Sequence, residues 1–142
     1  MNDIIRTDAA PAPVGAYPHA RRVGDLLFLS GVGPRQPGNQ AIPGNVTDAD
    51  GKLVAYDFEA QCRQVFANVR AVLEASGAAW TDLVDVTVLL TDMQRDFAAY
   101  NRLYGEYFAG VDACRTTLGI SALPTPIAIE LKCIAALPPS VR

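Results

Sequence analysis

With 142 residues, half of them apolar, the chain has one domain's length and enough hydrophobic matter for a proper core, so a multidomain reading drops out. Twelve Lys and Arg against fifteen Asp and Glu leave a net charge of −3 and a pI near 5.0, which argues against a nucleic-acid or anionic-membrane binder. Cys62, Cys114 and Cys133 are widely spaced with no Cys-x-x-Cys pair and read as reduced core thiols, while a single histidine, His19, excludes a His-rich metal site.

Residues 1–17 mix charges with Ala-Pro steps and never build a signal peptide's apolar run, and nowhere do the roughly 18 apolar residues of a membrane span occur. A cytoplasmic, soluble protein is expected. Around Gly24-Asp25 the chain is apolar and β-rich, and a glycine with a polar neighbour suits a tight turn, so a hairpin is expected with strands near 20–23 and 26–32. Residues 33–56 are rich in Pro, Gly and Asx and read as one long loop, which is either functional or a plain surface insertion. Asp57 can cap a helix in which Phe58, Cys62, Val65, Phe66, Val69, Val72 and Leu73 recur at three- and four-residue spacing until Ser76-Gly77 stops it. Residues 83–90 suit a central strand. Thr91 and Asp92 open a second helix to about Phe108, with Met93, Phe97, Tyr100, Leu103, Tyr104 and Tyr107 as its core stripe. Last strands follow near 113–120 and 127–136.

The order β-β-α-β-α-β-β gives a two-layer α+β sandwich, two helices on one face of a mixed sheet. In so apolar a chain, covering the other face with further copies is the economical solution, and a homo-oligomer is expected. Strand parity assigns Ile127, Ile129, Leu131, Cys133 and Ala135 to one face and Glu130 with Lys132 to the other. On the preceding strand Cys114, Thr116, Leu118 and Ile120 form the bulkier row, opposite Arg115, Thr117 and Gly119. Arg115, Thr117, Gly119 and Glu130 then line one polar patch. In one reading Arg115 grips a substrate carboxylate bidentately while Glu130 positions or deprotonates water; in the other the two make a cross-strand ion pair worth under about 1 kcal/mol. No phosphate-loop glycine pattern is present, and His19 beside Tyr17 reads as a partly exposed residue or one at a pocket mouth.

Beyond these patterns, APAPVGAY at 10–17, LSG at 29–31, ANV at 67–69, VTV at 86–88, Tyr100-Asn101 in the second helix, RTT at 115–117, ALP at 122–124 and Ile129-Glu130 together resemble the Rid (YjgF-like) family of enamine/imine deaminases along almost the whole chain. The resemblance implies a chorismate-mutase-like fold, a homotrimer with sites in the clefts between subunits, and hydrolysis of an imine to a carbonyl and ammonia without cofactor or metal. It implies carboxylate binding by Arg115, water positioning by Glu130 and pocket roles for Tyr17, Gly31 and Asn101. Thr117 stands where many members hold cysteine, and His19 where glutamine is frequent. The long segment 33–51, with TTLG at 116–119 and ALPTPIA at 122–128, is similar to the 2-aminomuconate deaminase branch of aromatic catabolism. That substrate is a dicarboxylate with a second carboxylate at its far end, for which Arg35, or else His19, is the expected cation. Alternatives are a general deaminase of 2-aminoacrylate and 2-iminopropionate, or a non-catalytic metabolite-binding or holdase trimer.

Overall fold

A computed structural model describes residues 3–139. In chain order these form β1 (Ile4–Ile5), β2 (Ala20–Val23), β3 (Leu26–Leu29), β4 (Val46–Thr47), β5 (Leu53–Ala55), α1 (Phe58–Ala75), a single 3-10 turn (Trp80–Asp82), β6 (Leu83–Leu90), α2 (Met93–Phe108), β7 (Cys114–Gly119) and β8 (Ile129–Ala136). Both helices begin where their caps dictate: the Asp57 carboxylate accepts from the Ala60 amide at 3.1 Å, and the Asp92 carboxylate from the Arg95 amide at 3.0 Å. At the far end of α1 the Ser76 amide returns to the carbonyls of Val72 and Leu73, and Gly77 follows at φ 75°.

The main sheet runs β1-β2-β3-β8-β6-β7; β6 and β7 are parallel and every other neighbour is antiparallel. Gly24, at φ 61°, supplies the left-handed residue of the two-residue β2–β3 turn. Leu27, Leu29, Val86, Val88, Leu131 and Cys133 face α1 and α2 and are essentially solvent-free with Cys62, Val65, Phe66, Val69 and Leu103. The helices thus cover one face only, as the α+β sandwich requires. The other carries Leu26, Phe28, Leu89, Leu118 and Ile134, with Leu26 and Leu118 exposed.

Three expectations need correction. The segment 33–56 is not wholly a loop, because β4 and β5 pair within it, with strands too short to show alternation. The terminal β1 adds to β2 for the same reason. Cys62 and Cys133 are core thiols whose burial pushes their pKa values up to about 12, whereas Cys114 is exposed on the open side of the edge strand β7. No helix among the described residues is long and apolar enough to cross a membrane.

Candidate active site

Register decides where the two chemically strongest side chains point. Val86 is opposite both Arg115 and Cys133, and Val88 opposite both Thr117 and Leu131, so Arg115 and Thr117 share the helix-covered face with core residues. Leu89 is opposite both Glu130 and Leu118, which sets Glu130 on the open face. The expected single polar patch of Arg115, Thr117, Gly119 and Glu130 therefore does not form within one chain. On the exposed edge strand neither row is plainly apolar, so sequence parity sorted the rows without showing which one meets the helices.

The Glu130 half is built around an irregularity between β3 and β8. Phe28 pairs with Ile134 and Val32 bridges Leu131, leaving three residues on the first chain segment against two on the second. The widened stretch releases the Leu29 carbonyl to accept from the Lys132 ammonium and brings Gly31 against Glu130. A Cβ at Gly31 would sit 2.8 Å from a Glu130 carboxylate oxygen, so any larger residue would push the carboxylate from this position. Ser30 anchors the other side, its hydroxyl donating to the Pro18 carbonyl at 2.6 Å and its amide to the His19 carbonyl at 3.0 Å. Tyr17, Gly31, Gly33, Arg35, Thr125 and Glu130 then surround a cleft of about 150 Å³. Burial raises the Glu130 pKa above its usual range, and the Arg35 charge partly offsets the rise.

Arg35 comes from the proline-rich segment and is held at three points. Its guanidinium donates to the Gln40 side-chain oxygen and, at 2.9 Å, to the Ala12 carbonyl. Its own carbonyl, and that of Gly33, accept from the buried Asn68 amide of α1 at 2.7 and 2.9 Å. A second buried amide, Gln61, binds Asn45 and the Ala128 amide, both at 2.8 Å, while Asn45 donates to the Pro126 carbonyl. These rivets fasten the long segment to α1 and to the start of β8. Gln61 and Asn68 stand seven residues apart within the apolar stripe of α1, and polar residues at such positions are the signal that sequence reasoning missed.

His19 does not project as a free cation. Its Nδ1 accepts from the Thr7 amide at 3.3 Å, which assigns the proton to Nε2, and Nε2 donates to the Pro11 carbonyl at 2.9 Å. The ring pins residues 7–11 beside the cleft. Of the two cations expected for a distal carboxylate, Arg35 lines the Glu130 cleft and His19 has both nitrogens engaged by backbone.

The Arg115 half lies across the sheet. Its guanidinium spans the rings of Tyr100 and Tyr104, 5.2 and 4.9 Å from their centroids, and donates to Asn101 at 2.9 Å. Thr117 and the buried Tyr100 share a hydroxyl–hydroxyl bond of 3.0 Å, so the threonine steadies the ring beneath the arginine. Asn101 thus belongs with Arg115, while Tyr17 and Gly31 belong with Glu130. One guanidinium N–H is taken by Asn101, and the rest of the fork suits a carboxylate. Among the described residues no three His, Cys, Asp or Glu side chains cluster as a metal site would.

A two-layer α+β chain with a carboxylate cleft on one sheet face and an aromatic-backed arginine on the other defines the class. The family model described as Endoribonuclease L-PSP matches residues 7–137, and the chain belongs to that family, the Rid/YjgF or RutC-like proteins. It is 38% identical over 135 residues to a RutC family protein of Pyrococcus horikoshii, covering 95% of this chain and 98% of that one. It is 35% identical to a protein of Dermatophagoides farinae named 2-iminobutanoate/2-iminopropanoate deaminase, covering 94% and 95%. The solved structure of RidA from a Psychrobacter species superposes with a TM-score of 0.82 at 31% identity, covering 96% of this chain and all of that one.

Proposed function

We propose that this chain is a hydrolytic deaminase of 2-imino acids, working in the reactive-intermediate class that its relatives' names describe. The observation that carries this reading is the half-buried Glu130 carboxylate beside Gly31 in a cleft of molecular size. Glu130 takes a proton from water as the water oxygen bonds to the imine carbon and hands it to the nitrogen, which becomes an amino group. The hydroxyl proton then passes to that nitrogen as the carbon–nitrogen bond breaks and the carbonyl forms, leaving a ketone and ammonia. Arg115 holds the carboxylate next to the reacting carbon. Since the two residues occupy opposite faces of one sheet, the reading takes Arg115 from one subunit and Glu130 from another, within the homotrimer that the Rid resemblance implies. The net charge of −3 argues against RNA as the substrate, despite the nuclease term in the family description.

A second reading narrows the substrate to a dicarboxylate of the 2-aminomuconate type, and one observation favours it: Arg35 lines the Glu130 cleft. The names of relatives such as the Dermatophagoides farinae deaminase favour the small monocarboxylates instead. The test is ammonia release from 2-iminopropanoate, 2-iminobutanoate and 2-aminomuconate by wild type, Glu130→Gln and Arg115→Ala. The glutamine variant should lose at least about a hundredfold in kcat and the alanine variant should chiefly raise KM. Co-refolding the two impaired variants should recover activity at low substrate by forming some clefts with both native residues. Full activity of Glu130→Gln would overturn the reaction assignment, and no recovery in the mixed assembly would overturn the shared site.

A further inference from the structure

The loop that presents Arg35 contains a conformation its sequence does not favour. Gln40 stands at φ 60°, in the left-handed region that glycine enters freely and a long side chain does not. Its neighbours already close the loop: the Gln36 amide donates to the Ala41 carbonyl at 2.7 Å, the Gln40 amide to the Gln36 carbonyl at 3.1 Å, and the Ala41 amide to the Asn39 side chain at 2.8 Å. For that closure glycine or asparagine would serve better at position 40. What glutamine adds over either is the reach of its side-chain oxygen, which receives the Arg35 guanidinium. The Ala12 carbonyl takes a second N–H at 2.9 Å and Asn68 fixes the Arg35 backbone, so Arg35 is held at its backbone and at two guanidinium N–H groups where it lines the Glu130 cleft.

We infer that Gln40 is a positioning residue for substrate specificity: its strained backbone aims an amide oxygen at Arg35 and so fixes that cation to receive a second acidic group on a 2-imino acid. The inference rests on the imino-acid reading above and extends it to a residue outside the cleft wall. A guanidinium gripped at one edge keeps its other N–H groups for a ligand, and loses less side-chain freedom when the ligand arrives. Acidic substrates therefore gain affinity through an interaction that neutral-tailed ones do not feel.

The variant Gln40→Gly separates this role from scaffolding, because glycine relieves the backbone strain while deleting the amide. Binding is measured by titration calorimetry with two stable 2-oxo acids, 2-oxoadipate as the diacid and 2-oxobutanoate as the monoacid, on wild type, Gln40→Gly and Arg35→Ala, with thermal unfolding of each. The expected result is a fall of about tenfold in the diacid-to-monoacid affinity ratio for both variants, with Gln40→Gly melting at or above wild type. An unchanged ratio in Gln40→Gly beside a lowered one in Arg35→Ala removes Gln40 from the recognition device. An unchanged ratio in Arg35→Ala overturns the proposal at its root. A lower melting temperature in Gln40→Gly with equal losses for both acids makes the glutamine structural. The binding ratio needs no turnover, so a failure of the deaminase reading shows separately as absence of ammonia release by wild type.

Discussion

Replacing Asn68 tests whether α1 holds the cleft together. The side chain is 1% exposed and fully employed: its NH2 group donates to the Gly33 and Arg35 carbonyls at 2.9 and 2.7 Å, and its oxygen accepts from Gln64 at 2.9 Å. In Asn68→Ala two carbonyls in a half-buried setting lose their donor. Each such loss costs about 1–2 kcal/mol where water can partly replace it, so about 2–4 kcal/mol in all. With unfolding entropy near 2.1 cal/mol/K per residue, a chain of this length melts about 7–13 °C lower. Asn68→Asp is the sharper variant, since it keeps the acceptor for Gln64 but sets a carboxylate against two carbonyl oxygens, and it should be less stable than the alanine form at neutral pH. Differential scanning calorimetry gives the stability. KM of both variants gives the site, and should rise more for an acidic-tailed substrate than for a plain one because Arg35 loses its backbone anchor. A drop under about 3 °C in Asn68→Ala, or an aspartate variant as stable as the alanine one, would refute the rivet argument.

Two further predictions concern buried charge. In the proposed reaction Glu130 acts as a carboxylate, so kcat/KM should fall as pH drops through its raised pKa, placing the acid limb above the ordinary glutamate value of 4.5. Arg35→Ala removes the attraction that opposes this rise, so the limb should move to higher pH and Arg35→Lys should return it; an unmoved limb in Arg35→Ala would show that Arg35 does not act on Glu130. For stability the sign is opposite: the raised folded value favours the native state at low pH, and that advantage is lost as pH rises through it, so Glu130→Gln should be the more stable protein at neutral pH, by under about 1 kcal/mol for a half-buried group screened by solvent. The second case is the clasp of Tyr56 and Asp96, in which the phenol donates to a 3%-exposed carboxylate at 2.6 Å. Burial raises the Asp96 pKa, and burial with the neighbouring carboxylate keeps the Tyr56 phenol protonated as the donor. Tyr56→Phe removes the phenol donor and leaves the carboxylate to Arg95 at 3.6 Å, so it should cost about 1.5–3 kcal/mol in denaturant unfolding at neutral pH, whereas Asp96→Asn keeps an acceptor without the charge and should cost less; the reverse order would refute the clasp.

Both helices were legible in the sequence because two independent signals agree in each, an aspartate cap and a 3.6-residue apolar period, and their first residues fall where the caps place them. The strand order and the two- and three-residue strands β1, β4 and β5 were not, since so short a segment has no period and its pairing is a tertiary choice. Arg115 and Glu130 stood out by chemistry, and parity sorted their strands into two rows, yet the rows of β7 differ too little in hydrophobicity to show which one meets a helix. It is Tyr100 and Tyr104, reaching from α2 to the sheet edge, that claim the Arg115 row. On the proposed roles, the carboxylate-gripping Arg115 and the water-handling Glu130 stand on opposite faces of one sheet and make no complete site in one chain. Catalysis by this pair would therefore require that the open face, with Leu26, Phe28, Leu89, Leu118 and Ile134, meet another copy. Hydrophobic cover for the sheet and completion of the cleft then follow from the same contact, and dilution that separates subunits should remove activity before it unfolds the chain.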